Sequence, residues 1–167
     1  MTTPEDPSGG RRTIRLRSLR AVFSREVLRE DAPAYLSARR FSSPGQVYEL
    51  FRDLYLESKE NFICLHLDAK HGLLCFDRVA VGTLESSLVH PREVFKGALL
   101  SSAGSIVIVH NHPSGDPAPS REDRDCTQRL IHAGQILGIR VLDHIGLGHD
   151  DYYSFADAGL LNSDPSF

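Results

Sequence analysis

Cysteine is scarce in this 167-residue chain. The three that occur, Cys64, Cys75 and Cys126, form no Cys-x-x-Cys pair. Their odd number and their spacing argue against a disulfide framework and against a cysteine-based zinc knuckle. We therefore predict that they are small buried apolar residues, as free cysteines usually are.

The chain also lacks a long apolar run and a strong net charge. No stretch approaches the ~18 consecutive apolar residues of a membrane-spanning helix, and residues 1–10 lack the apolar centre of a signal peptide. We expect a cytoplasmic protein with no membrane partner. With 41% hydrophobic residues and a formal net charge of −3, the chain fits one globular domain with an attached tail. As a whole it should not attract nucleic acid.

One basic cluster stands near the N-terminus. Six arginines occur from Arg11 to Arg25, with almost no acidic residue before Glu26. The cluster is either an arm that contacts nucleic-acid phosphate or an acidic partner, or a solvated extension. We divide the chain into a partly disordered Arg-rich extension at residues 1–40, a compact domain at residues 41–160 and a short tail at residues 161–167.

Helical and strand-like patterns alternate in the compact domain. Ser43 and Gln46 form a capping-box pattern with Pro44 at the first helical position. The predicted elements are a helix from residue 44 to about 58, a hairpin at 62–67 and 73–81, a helix from 91 to about 104, a strand at 105–109, a helix at 120–137, and strands at 139–147 and 152–155. We expect Leu99 and Leu137 on the inward faces of their helices. The order indicates an α/β protein in the broad sense, with an α+β mixed sheet flanked by helices.

The chemistry is concentrated directly after the predicted central strand. Residues 105–109 are nearly all apolar and β-branched, which favours a strand covered on both faces. The following stretch, His-Asn-His-Pro-Ser-Gly-Asp-Pro-Ala-Pro, is too rich in proline and glycine for regular structure. We therefore predict a constrained loop at residues 110–119 and a helix capped by Ser120.

A metal site is the sharpest interpretation of this stretch. His110 and His112 alternate on an extended chain and so point the same way. Asp123 can add a carboxylate from the N3 position of the next helix. Two histidines and one carboxylate leave a fourth position for water, as in catalytic zinc sites. The alternative is a simple capping box between Ser120 and Asp123, beside a His-x-His pair that occurs by chance.

These residues also resemble a known signature. The sequence contains the pattern His-x-His, seven residues, Ser, two residues, Asp, which is similar to the JAMM motif of JAB/MPN metalloproteases. The amino-acid sequence of residues 110–120 resembles the RadC branch of that family. Similar wording occurs at residues 62–68, 82–87, 90–94 and 142–145. The resemblance implies a JAB/MPN fold of cytidine-deaminase-like architecture. It also implies a hydrolase with one Zn²⁺ per chain, held by His110, His112 and Asp123, that cleaves a peptide or isopeptide amide.

The resemblance assigns further roles. Glu60 is implied as the general base that is not a ligand, with Glu57 as its competitor in register and with Glu85 and Glu93 as weaker candidates. Ser120 is implied as a hydrogen-bond donor to the developing oxyanion. His144 is a candidate partner of a ligating imidazole. We expect four further histidines of the compact domain to lie outside the site: His66, His71, His132 and His149.

Residues 1–40 do not resemble the helix-hairpin-helix region usual in RadC proteins, so we expect a standalone JAB domain. A second hypothesis is a DNA-repair-associated or partner-binding module that uses the scaffold without turnover. The expected partner of an enzyme is a protein or peptide substrate, which the sequence does not identify. The oligomeric state also stays open.

Overall fold

A five-stranded mixed sheet organises the chain in the computed structural model, which describes residues 17, 19–28, 40–82 and 89–162. The helices are α1 (Pro44–Phe51), α2 (Pro91–Leu100) and α3 (Arg121–Leu137), with one turn of 3₁₀-helix at Arg52–Leu56. The strands are β1 (Glu60–Leu67), β2 (Leu73–Gly82), β3 (Ser105–Asn111), β4 (Arg140–Leu147) and β5 (Tyr152–Ser154). This confirms the predicted α+β class. Among the described helices, none combines the length and apolar character that crossing a membrane requires.

The strand order is β2-β1-β3-β4-β5. β1 is antiparallel to both of its neighbours, β3 and β4 are parallel, and β5 is antiparallel to β4. α3 makes the crossover between the two parallel strands. All seven residues of β3 are buried, which confirms the predicted central strand. The strand runs to Asn111, two residues beyond its predicted end, so the loop predicted at residues 110–119 begins only at His112. The residues that follow β3 are therefore attached to a strand that is buried along its whole length.

The sheet separates two apolar layers. On β1, Phe62 and Cys64 belong to the layer with α2 and α3, whereas Ile63 and Leu65 belong to the layer with α1. This alternation follows from the period of two in a strand. The sheet is thus covered by helices on both faces.

The start of α1 differs from the prediction. Pro44 does occupy the first turn, but the Ser43 side chain makes no cap hydrogen bond. Gln46 Oε1 instead accepts from the backbone N–H of Ser42 at 2.7 Å. The regular helix also ends at Phe51 and continues only as 3₁₀-helix to Leu56, so the prediction of one helix to about Ser58 was wrong.

Three predicted burials were also wrong. Leu99 is 54% exposed and Leu137 is 42% exposed. Leu99 follows the buried Ala98, and one residue rotates the helix face by about 100°. Leu137 closes the last turn of α3, after Gly134 has made the last buried contact. Cys75 is only half-buried, whereas the other two cysteines are buried as predicted.

Several predictions lie outside the described residues. Much of the Arg-rich extension, Glu85 and the end of the tail fall at residues 1–16, 18, 29–39, 83–88 and 163–167. Arg17, Arg20 and Arg25 are described and are exposed.

Candidate metal centre

The structure brings the three predicted ligands together. His110, His112 and Asp123 each offer one ligand atom, and these atoms lie within 4.8 Å of one another. The two Nε2 atoms of the histidines are 2.8 Å apart. Oδ1 of Asp123 lies 3.5 Å from His110 Nε2, and its Oδ2 lies 3.5 Å from His112 Nε2. Alternation at the end of β3 therefore does place both imidazoles on one side, and the first turn of α3 adds the carboxylate.

The capping-box interpretation is correct at the same time. Ser120 Oγ accepts from the Asp123 backbone N–H at 3.1 Å. Asp123 Oδ2 accepts from the backbone N–H of Ser120 at 2.8 Å and from its hydroxyl at 2.6 Å. These bonds hold the carboxylate at the start of α3, while Oδ1 faces His110. The cap and the metal-ligand geometry are thus one arrangement.

A buried chain of hydrogen bonds orients His110. Its Nδ1 is 2.7 Å from His144 Nε2, and His144 Nδ1 is 2.6 Å from Thr127 Oγ1. The Thr127 hydroxyl donates to the Asp123 carbonyl at 2.6 Å. Because a carbonyl only accepts, the hydroxyl hydrogen is used there, and the proton of a neutral His144 must sit on Nδ1. His144 Nε2 then accepts from His110 Nδ1, which leaves the lone pair of His110 on Nε2, toward the cluster.

His112 is oriented in the same way by a single bond. Its Nδ1 lies 2.5 Å from the backbone oxygen of Asp116. That oxygen only accepts, so His112 Nδ1 carries the proton and Nε2 faces the cluster. The loop that holds Asp116 is itself tied down, since Gly115 N donates to His112 O and His149 N donates to Gly115 O.

The electrostatics of the cluster favour a cation. Burial lowers the pKa of His110 to about 4, so this imidazole is neutral near pH 7. Burial alone would raise the pKa of Asp123, but the hydrogen bond that a protonated His112 donates from Nε2 and the proximity of His110 outweigh it and hold the pKa well below its usual range. The Asp123 carboxylate in turn raises the pKa of His112. Two imidazole lone pairs and one carboxylate converge, and this donor set can hold a metal ion.

An open groove lies beside the cluster. It has a volume of about 550 Å³, and Glu60, Ser120 and His112 are among the residues that line it. Glu57 is exposed at the end of the 3₁₀-helix and does not line this groove. Glu93 lies on the surface of α2, where it pairs with Lys96. Of the candidate general bases that the structure describes, Glu60 lines the groove, and Glu57 and Glu93 do not.

The four histidines predicted to lie outside the cluster do so, and His90 caps the start of α2. His71 and His132 are exposed, and His149 is exposed beside Asp150. His66 is buried against Ser101 and Cys75. The sequence interpretation missed Thr127, although its position one helical turn after Asp123 is a signal that could have found it. It also missed the structural use of Asn111.

Comparison with known proteins agrees with this geometry. The profile of the RadC-like JAB domain family matches residues 41–160. A protein called UPF0758 in Trichlorobacter lovleyi is 52% identical over 123 residues, which cover 73% of this chain and 54% of that protein. The UPF0758 protein of Geotalea uraniireducens is 48% identical over 80% of this chain and 59% of its own length. That of Geobacter sulfurreducens is 44% identical over 91% of this chain and 67% of its own length. The chain thus spans between about half and two thirds of these curated relatives.

Proposed function

This chain belongs to the RadC-like JAB domain family, and from that premise we propose that it is a zinc-dependent hydrolase of peptide or isopeptide amides. The observation that carries the proposal is the convergence of His110, His112 and Asp123 beside a groove that Glu60 and Ser120 also line. In this proposal His110, His112 and Asp123 would hold the zinc. Glu60 would transfer the proton, and Ser120 would stabilise the developing oxyanion.

Zinc fits the donor set better than a hard cation does. Two imidazoles with one carboxylate are typical of zinc sites, whereas calcium and magnesium prefer oxygen ligands. Ligands 2.0–2.1 Å from a tetrahedral zinc lie about 3.3 Å from one another. The separations of 2.8, 3.5 and 3.5 Å in the cluster fall on both sides of that value. Small movements of the side chains are therefore enough for binding.

Glu60 moves the proton in this proposal. Zinc supplies Lewis acidity, which makes water a nucleophile near neutral pH and polarises the carbonyl under attack. A carboxylate oxygen of Glu60 accepts the proton that the attacking water loses. The same oxygen then gives that proton to the nitrogen of the leaving amine when the C–N bond breaks. Its place in the groove with His112 supports this role.

Ser120 stabilises the negative charge that develops on the carbonyl oxygen. Its hydroxyl donates to Asp123 Oδ2 in the structure, and the Ser120 backbone N–H donates to the same oxygen. The hydroxyl can therefore turn toward the substrate without leaving that oxygen unpaired. A preorganised oxyanion donor contributes about 2.7–4 kcal/mol to lowering the barrier, and a hydroxyl that must first turn contributes less.

Zinc content and cleavage test the proposal together. We expect about one zinc per chain by elemental mass spectrometry in the wild type and in Glu60→Gln, and little zinc in Asp123→Ala. We expect new peptide termini when the wild type is incubated with a mixture of unstructured peptides and the products are read by mass spectrometry. Glu60→Gln should reduce that rate at least about 100-fold, since general acid–base catalysis contributes that much or more.

Glu57→Gln is the matched control, because the same change is made three residues upstream at an exposed position. It should keep the wild-type rate. A wild-type chain that takes no zinc after reconstitution would reject the proposal, and so would a Glu60→Gln variant that cleaves at the wild-type rate.

A further inference from the structure

Asn111 lies between the two clustered histidines and is 0% exposed. Its side-chain amide binds two peptide groups at the start of β1. Oδ1 accepts from the backbone N–H of Asn61 at 2.7 Å, and Nδ2 donates to the backbone oxygen of Lys59 at 3.1 Å. The residue between those two peptide groups is Glu60. One buried amide therefore holds the chain on both sides of the carboxylate that lines the groove.

This contact begins where the backbone pairing of β1 with β3 ends. On the other edge of β1, pairing with β2 continues to Glu60, which lies opposite Gly82. The backbone pairing between β1 and β3 runs from Leu67 opposite Ser105 to Phe62 opposite His110. One residue further, the Asn111 side chain supplies the acceptor for Asn61, and the backbone N–H of His112 donates to Leu147 on the other side of β3. Without the amide, Phe62 would be the last residue of β1 bonded to β3, and Glu60 lies two residues beyond it toward the N-terminus.

An amide is suited to this position by its chemistry. A side chain that serves both peptide groups must present one acceptor and one donor, and asparagine has both on a short stem. An aspartate would offer two acceptors and would face the Lys59 carbonyl with an oxygen. The Lys59 carbonyl also accepts from Asn61 Nδ2 at 3.1 Å, so the bond that depends on Asn111 alone is the one to the Asn61 backbone N–H. Leaving a buried polar group unpaired costs more than a hydrogen bond gains.

We propose that Asn111 is a positioning residue that fixes Glu60 at the edge of the metal cluster. The same three-residue segment of β3 and its exit thus supplies two metal ligands and, between them, the support of the proton-moving carboxylate. This inference rests on the proposed function of Glu60. The contact itself can be measured without any metal.

Amide hydrogen exchange, measured by NMR on the full chain, tests the contact. In Asn111→Ala, the Asn61 amide should exchange at least about fivefold faster than in the wild type, the factor that matches a hydrogen bond of about 1 kcal/mol. The rate is read relative to the Ile108 amide in the core of β3, so that a general loss of stability is not mistaken for the effect. In Asn111→Asp, which keeps the acceptor, Asn61 should stay protected.

The protein loaded with Co²⁺ tests the consequence for Glu60. The affinity for Co²⁺ should stay near the wild-type value in Asn111→Ala, because all three ligands remain. The pH titration of the visible cobalt spectrum of Asn111→Ala should shift in the direction seen for Glu60→Gln and at least half as far. Asn111→Asp is measured beside it because it keeps the size of the side chain. Gln128→Ala is the control, since it removes another bond from a side-chain amide to a backbone carbonyl, at Leu160.

The outcomes separate the two proposals. Wild-type protection of Asn61 in Asn111→Ala would overturn the inference, and so would a wild-type cobalt titration, even if Glu60→Gln behaves as proposed. A wild-type chain that binds no Co²⁺, or a titration that Glu60→Gln leaves unchanged, would instead overturn the proposed function. The exchange rate of Asn61 would still decide whether Asn111 holds the segment.

Discussion

At the scale of single residues, two backbone carbonyls determine which ring nitrogen of His110 and of His112 carries the proton. The oxygens of Asp116 and Asp123 only accept hydrogen bonds, so each sets the position of a proton further along its chain of bonds. For His112 the effect is direct, whereas for His110 it passes through Thr127 and His144. In the neutral imidazoles, the result in both cases is an Nε2 lone pair that faces the space between His110, His112 and Asp123.

Thr127→Val tests this chain of bonds. The change keeps the side-chain shape but removes the oxygen that accepts from His144 Nδ1, so the imidazole that supports His110 loses its fixed orientation. We expect zinc affinity to fall about tenfold, the lower end of the loss usual for partners of metal ligands. Competition with a chromophoric chelator measures the affinity. Thr127→Ser keeps the hydroxyl and should bind nearly as the wild type does, and equal affinities in all three proteins would contradict the prediction.

At the scale of elements, α3 links the cluster of His110, His112 and Asp123 to the parallel strands. Its first turn carries Asp123, and its end turns back through Gly138, which has a left-handed φ of 71°. Ile139 N donates to Gly134 O at 2.9 Å just before β4 begins. A Cβ on Gly134 would lie only 2.4 Å from the Ile139 carbonyl oxygen. A glycine inside the helix therefore allows the close return of the chain.

Gly134→Ala should destabilise the protein even though alanine favours a helix by about 1 kcal/mol. The new methyl group would overlap backbone rather than a movable side chain, so we expect a net loss of about 2 kcal/mol. Gly45→Ala in α1 is the contrasting change, because its Cβ would meet only Tyr152 at an ordinary 3.5 Å. It should stabilise by about 0.5 kcal/mol. Urea unfolding of both variants measures the difference, and a stabilised Gly134→Ala would refute the reason given.

At the scale of the whole molecule, two buried histidine environments lie toward opposite ends of the strands. His110 and His144 lie at the end of β3 and β4 that holds the cluster, whereas His66 lies toward the other end of β1, opposite Ile106. The groups that face His66 come from β2 and α2: Cys75, Asp77 and Ser101, with Lys96 close to Asp77. Its Nε2 has no hydrogen-bond partner among the described residues.

His66 should contribute to the pH dependence of stability, in addition to His110 and His144, whose pKa values burial also lowers. Burial lowers the pKa of the His66 imidazole in the folded protein, and the attraction of Asp77 offsets that only in part. The unfolded chain therefore binds the proton first, so the free energy of unfolding should decrease as the pH falls below about 6.5. One such group contributes a slope of at most about 1.4 kcal/mol per pH unit.

His66→Gln isolates that contribution. Urea unfolding of the wild type and of the variant between pH 7.5 and pH 5 should give a smaller slope for the variant. His132→Gln changes an exposed histidine and should leave the slope as it is. A slope that is the same in all three proteins would exclude His66 as its source.

The sequence by itself determined the features that depend on neighbouring residues along the chain. The alternation of His110 and His112, the cap between Ser120 and Asp123, and the end of α3 at Gly138 all follow from backbone geometry within a few residues. For that reason the convergence of His110, His112 and Asp123 and the central strand were predictable from spacing and pattern, and the RadC-like sequence agreed with both.

Only the tertiary structure decided what depends on segments that are distant in sequence. The contact of Asn111 with Lys59 and Asn61 joins residues about fifty positions apart. The segment that this contact holds brings Glu60, and not Glu57, into the groove. Thr127 and His144 meet because α3 crosses over to β4. The exposed sides of Leu99 and Leu137 likewise depend on where each helix leaves the sheet. A local pattern specifies which way a side chain points on its own element, but only the packing of elements decides what lies opposite.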